Sequence, residues 1–445
     1  MEIFIKISQF LLSLSLLIIL HELGHFIPAK IFKTKVEKFY LFFDYKFSLF
    51  KKKIGDTTYG IGWIPLGGYV KIAGMIDESM DKEQMAKPPK PWEFRSKPAW
   101  QRLIIMLGGV TVNFILGIFI YIMMFSAWGE NYVGINDVKN GFSVSDDFKV
   151  LGFEDGDKIL KINGDEPFNV LDINKHLFLR EVKNIEVGHS NGQIETIDLP
   201  ESIGLIMWQS GFMKPFEPRR LHVILDSIIS DSPALKAGFK KGDKIIEVNN
   251  QPIVYWDEFT SMVQNNPLNI AMEIKVERNG GTELLNVTPG MDHNIGVYIQ
   301  NFTDNDMVVN HKDYSFMESI SLGTSKAYWT LMDYMGQFKY VFTKKGATSL
   351  GGFIMIGNIF PSKWSWPAFW SITALLSIML GFMNLLPIPA LDGGHVVFVL
   401  YEMITGRKPS DKFLEYAQIT GFIILMSLLL LANGNDIYKW LTGQL

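Results

Sequence analysis

His21, Glu22 and His25 form the pattern H-E-x-x-H directly after an apolar run. On a helix, residues four apart share a face with their Cβ atoms about 6 Å apart, so both imidazoles can reach one cation. Glu22 then points to a neighbouring sector, and zinc is the metal expected for such nitrogen ligands. From Ile3 to Leu20 the only charge is Lys6, which predicts a membrane-spanning helix rather than a buried core helix. His21 would lie roughly 25 Å along a helix entered near Phe4, inside the bilayer and below an exit surface marked by Lys30. Ionisable groups are costly in hydrocarbon, so three of them in one span read as a functional site.

A further ligand must be an oxygen or nitrogen, because the chain contains no cysteine. The stretch from Asn384 to His395 reads N-L-L-P-I-P-A-L-D-G-G-H. Two prolines two apart remove backbone donors and break a helix, so the chain at this depth must be non-helical and sheltered by protein. Asp392 then places a carboxylate level with the histidines if both lie near the cytosolic leaflet. Two histidines and one acidic oxygen make the ligand set of a catalytic zinc, with the fourth position left for water. His395 either supports that site or is incidental. Asn113, one turn past Gly108-Gly109, reads as a hydrogen-bonding link to a neighbouring helix.

The elements that must carry these residues follow from hydropathy and charge. Of the 445 residues 48% are apolar and the net charge is −4, which fits a chain that is part membrane and part water-soluble. Four spans are expected, at about 3–30, 103–128, 369–386 and 417–433. Between Lys30 and Arg102 there are 15 Lys or Arg against 8 Asp or Glu. That excess places this loop in the cytoplasm and both termini outside. No signal peptide is expected, because cleavage after the first apolar run would remove the histidines.

Within the loop, 54–75 is glycine-spaced, and Gly68, Tyr69, Val70, Lys71 and Ile72 alternate as a strand that is either a cytoplasmic hairpin or a membrane-dipping element. Asp77–Lys97, charged and proline-rich, reads as a linker. Beyond the second span, Gly152–Asn163 matches Gly238–Asn249 at a constant offset of 86, with seven identities in twelve positions. At these residues the sequence resembles PDZ domains, which bind extended peptides by adding a strand to a sheet edge. Rigid spacers with vestigial grooves are the other reading. His311–Lys345 carries apolar residues at helical spacing, including Phe316, Ile320, Tyr328 and Phe342, and predicts a helix on the membrane or against the spans.

The set as a whole, H-E-L-G-H, then G-x-x-P-L-G-G-Y-V-K, a tandem PDZ-like pair and N-L-x-P-x-P-x-L-D-G-G-H, resembles the site-2 protease family of intramembrane zinc metalloproteases. The resemblance implies an α-helical membrane protein with four transmembrane helices, a cytoplasmic or membrane-reentrant β-element, and two β-rich PDZ domains between spans two and three. The implied divisions are 1–128, 129–215, 216–305, 306–368 and 369–445. Zn2+ would be held by His21, His25 and Asp392, with Glu22 as general base. Asn384 and Gly68, Tyr69, Val70 and Lys71 would hold the substrate. The implied substrates are single-span membrane proteins, of anti-sigma-factor type, and signal-peptide remnants, cut in the bacterial inner membrane after their extracytoplasmic domain is removed. Membrane lipid and peptide C-termini at the PDZ pair are the other expected partners; nucleic acid is not. Met379 stands where related enzymes often carry asparagine, and Gly109 and Phe353 where they often carry proline. A catalytically inactive PDZ scaffold would show no dependence on Glu22, and a zinc-binding transporter would need polar residues along several spans.

Overall fold

The computed structural model of the chain describes residues 1–65, 67–75, 88–341 and 343–443. Leu66, Phe342 and the 77–87 part of the expected linker lie outside the described residues. The chain forms two compact units, Met1–Gly129 with Asp313–Leu445, and Glu130–Lys312.

Among the described residues of the first unit, four helices are long and apolar enough to cross a membrane: Glu2–Ile31, Ala99–Trp128, Trp366–Leu385 and Lys412–Leu441. The first two are named α1 (Glu2–Ile31) and α2 (Ala99–Trp128) below. Local chemistry sets several of their ends. Pro98 precedes α2, where a missing N–H costs nothing. Ser365 accepts from the Ala368 amide at the start of the third span helix, and Ser410 accepts from Phe413 at the start of the fourth. The fourth helix outruns the expected 417–433 by several residues at each end. Its polar residues do not stop it, because they find partners in the fold: Asn433 Oδ1 accepts from the Phe353 amide, and Asp436 Oδ2 from the Met355 amide.

Helix α2 is the hub of this unit, packing against α1, the third span helix and the helix Phe316–Val341. It crosses α1 where Gly24 meets Gly108, so closely that a Cβ on either glycine would strike the other's carbonyl. The Phe316–Val341 helix turns Ser319, Gly323 and Ala327 inward, with Gly323 against Ile122 of α2. Four strands follow α1: β1 (Val36–Leu41), β2 (Phe50–Ile54), β3 (Thr57–Ile61) and β4 (Tyr69–Ile72). Their order is β2-β3-β1-β4, with β1 parallel to β3 and antiparallel to β4. Phe39 faces Val70 and Tyr40 faces Tyr69, and β4 lies at the edge of the sheet among the described residues.

The second unit is β-rich with two hydrophobic clusters. One gathers Phe142, Phe148, Phe153, Ile159, Leu177, Val187 and Phe216; the other gathers Val223, Leu225, Phe239, Ile245, Phe259 and Ile274. The strand Lys158–Ile162 pairs with Asn184–Gly188, and the strand Lys244–Val248 with Met272–Arg278. These two leading strands are 86 residues apart end for end. The strand Phe216–Pro218 pairs back onto Phe142–Val144, so the chain leaves the first cluster only after residue 218.

Candidate metal centre

Two chain segments, nearly the length of the protein apart, meet around one point. His21 and His25 project from one face of α1, their Nε2 atoms 3.4 Å apart. Asp392 opens the helix Asp392–Thr405, and its Oδ2 stands 3.3 Å from each of those nitrogens. The third span helix stops at Leu385, and Pro387 and Pro389 keep it from resuming. The turn is tied by Ile388 N–H to the Leu386 carbonyl and Leu391 N–H to the Ile388 carbonyl, and Ala390 takes φ +78°. The next helix then starts with its acid pointing back at α1.

From α2, Gly109 faces the histidines: a Cβ there would collide with His25 Nε2 and His21 Cε1. A side chain at this position would require the rings or the α2 backbone to shift. His25 Nδ1 lies 2.8 Å from the Ile105 carbonyl, which fixes its N–H there and leaves Nε2 as the lone-pair nitrogen. His21 Nδ1 lies 3.0 Å from the Asn113 amide nitrogen, while Asn113 Oδ1 is buried with no hydrogen-bond partner among the described residues. Turning that amide over places its oxygen against His21 Nδ1–H, the tautomer a metal at Nε2 requires. Sequence reading gave Asn113 a generic helix-linking role. Its spacing of one turn from Gly109 gains meaning only once the structure shows Gly109 against the rings.

The three ligand atoms form a nearly equilateral triangle of edges 3.3, 3.3 and 3.4 Å. A tetrahedral cation bound at about 2.0–2.1 Å keeps its ligand atoms about 3.3–3.4 Å apart, so the residues present fit such an ion without rearrangement. Asp392 Oδ2 has no well-formed hydrogen bond although it is buried between two imidazoles, as expected of an atom arranged for a cation rather than a donor.

The remaining expected residues divide. Asn384, in the last turn of the third span helix, brings its amide nitrogen within 3.3 Å of His21 Nε2. Glu22 is half-buried, follows His21 on α1 and faces Gly68, the residue just before β4. Gly68 packs against Ile18 and Glu22 of α1, and a Cβ there would strike Ile18. Tyr69 and Lys71 serve the sheet instead: Tyr69 donates to Asp44 Oδ1 at 2.7 Å and stacks on Tyr40, and Lys71 lies 3.7 Å from Glu37. His395 is absent from the triangle and lies in the following turn of the helix.

Glu154, Asp157 and His189 in the second unit form another acid and histidine cluster. There, however, His189 Nδ1 bonds Asp157 Oδ1 at 2.7 Å, and Asp157 Oδ2 accepts from the Glu154 amide. Asp243, 86 residues on, makes the matching bond to the Lys240 amide and is forked by Arg278 with two contacts of 2.7 Å. Arginine does the work of histidine in the second copy, so the pair is a structural ion pair.

A metal-fitting triad of two histidines on a membrane-capable helix and an aspartate just past the end of another, with an acid beside the first histidine, has the features of a membrane-embedded metallopeptidase. The model of peptidase family M50 matches residues 9–428, and the chain belongs to that family, the site-2 proteases. It is a zinc metalloprotease of this type. It is similar to the regulator of sigma E protease of Haemophilus influenzae, 29% identical over 98% of this chain and 99% of the relative. It is likewise similar to the regulator of sigma-E protease RseP of Escherichia coli K12, 28% identical over 97% and 98%, and to that of Salmonella typhimurium, 27% identical over 97% and 98%.

Proposed function

We propose that the chain cleaves transmembrane segments of single-span proteins, with His21, His25 and Asp392 as its zinc ligands and Glu22 as general base. The observation that carries this reading is the ligand triangle with 3.3–3.4 Å edges, with Glu22 one residue from its first corner. Bound zinc supplies Lewis acidity toward water and the scissile carbonyl. Glu22 takes the proton of the attacking water and returns it to the leaving amine. Asn384, beside the triangle, holds substrate backbone. An intact helix hides its carbonyls in i to i−4 bonds, so the substrate must unwind. The edge of β4, at Gly68, Tyr69, Val70 and Lys71, offers replacement backbone partners.

By analogy with the named relatives, the substrates are anti-sigma-factor type proteins and signal-peptide remnants, cut in the bacterial inner membrane during envelope-stress signalling. The two clusters of the second unit are PDZ domains of about 129–215 and 216–305, with 216–218 contributed to the first. They lie outside the cytoplasm, as do both termini, and exclude substrates whose extracytoplasmic domain is intact. The test is incubation of detergent-purified wild-type and Glu22→Gln protein with a truncated single-span substrate. Cleavage by wild type alone is expected. Equal cleavage by the variant removes Glu22 from the chemistry, and no cleavage by zinc-loaded wild type leaves a membrane-anchored scaffold.

A further inference from the structure

The turn that presents Asp392 is strained, and a different helix holds it. Ala390 sits at φ +78°, a left-handed conformation that a residue with a Cβ adopts only when its surroundings impose it. Its N–H donates to the side-chain oxygen of Gln418 at 3.2 Å, and Gln418 is a buried amide in the fourth span helix, just ahead of its apolar stretch. One turn further along that helix, Gly421 lies against Pro389 so closely that a Cβ would overlap the Pro389 carbonyl. Gly393 and Gly394, at the start of the helix that follows, pack closely against the Leu386 and Ile388 carbonyls. The turn is thus held by the fourth helix and by the start of its own following helix, and Asp392 follows the strained residue by two positions.

We propose that Gln418 is a positioning residue: through its bond to Ala390 N–H, the fourth helix holds the strained turn and so sets the position of the Asp392 carboxylate. A polar side chain in a lipid-facing helix is costly unless it meets a partner, and this one meets a backbone donor that Pro387 and Pro389 leave outside any helix. The proposal rests on the reading of Asp392 as a zinc ligand.

The test uses full-length purified protein. Zinc affinity is measured by competition with a chelator, and cleavage in parallel, for wild type, Gln418→Met, Ala390→Gly, the double variant and Asp392→Ala. Gln418→Met keeps side-chain length and removes the acceptor; about a tenfold or greater loss of zinc affinity is expected, the range seen when a group supporting a ligand is lost. Glycine adopts positive φ without strain, so Ala390→Gly in the double variant restores most of the affinity. Wild-type affinity in Gln418→Met, or a double variant no better than the single one, overturns the proposal. If Gln418→Met alone does not fold, a folded, zinc-retaining double variant supports the proposal and a double variant that also fails overturns it. Asp392→Ala separates the two readings: unchanged affinity there rejects Asp392 as a ligand, whatever Gln418 does.

Discussion

At the scale of single residues, the proposed roles separate metal holding from proton transfer. Glu22 touches none of the three edges of the triangle, so Glu22→Gln should retain zinc while hydrolysis falls by about 10²–10⁴-fold, the span ascribed to general acid–base groups. His21→Ala removes a corner and should lose both; metal analysis of the two purified variants, beside a cleavage assay, checks this. Asn113→Leu should weaken zinc binding about 10–100-fold, because it deletes the partner that holds His21 in the metal-competent tautomer. Chelator competition measures it, and Asn113→Gln or →Asp, which can still present an oxygen, should recover part of the loss. Much of this was written in the residues themselves. H-E-x-x-H in an apolar run and Asp392 after a proline-broken helix point to each other because charge is so costly in a membrane. The Asn113 contact and the Gln418 clamp were not legible, since an amide in a span gives no local sign of which helix it will meet.

At the scale of elements, β4 is the strand whose start lies against Glu22, through Gly68. Its alternation was visible in the sequence, and the structure adds that Tyr69 and Lys71 anchor the strand to Asp44 and Glu37. On the proposed substrate pairing, Val70→Pro removes a backbone donor from the strand and should cut cleavage strongly with zinc still bound, whereas Val70→Ala, which keeps the N–H, should cleave near the wild-type rate. Turnover and zinc content of the two variants make the comparison. The ends of the fourth helix were not legible, because hydropathy sees only its apolar middle, while Gln418, Asn433 and Asp436 extend it through bonds to segments far away in sequence.

At the scale of the whole molecule, the β-rich unit carries two matching ion pairs that answer pH in opposite directions. Burial opposes charge on His189, but its hydrogen bonds to Asp157 and Glu195 outweigh that and raise its pKa. Its stabilising contribution is therefore complete below the unfolded value of about 6.5 and is lost as pH rises through the higher folded value. Burial also opposes charge on Asp243, but Arg278 lowers its pKa below the ordinary range. That contribution is present above about 3.9 and is lost only as pH falls through the folded value. Raising the pH of the full-length protein from about 6 upward should therefore lower the protection factors, corrected for intrinsic exchange, in Lys158–Ile162 and Asn184–Gly188 while leaving those of Lys244–Val248 unchanged. His189→Arg should flatten the difference, and equal exchange in both segments of wild type would refute the assignment.

The contact of Gly24 with Gly108 ties the histidines and the residues around them into one block. With no side chain between the two backbones, α1 and α2 cannot slide past each other without a clash, so Ile105, Gly109 and Asn113 travel with the imidazoles they face. Any motion that admits a peptide to the centre must therefore move other elements around that block.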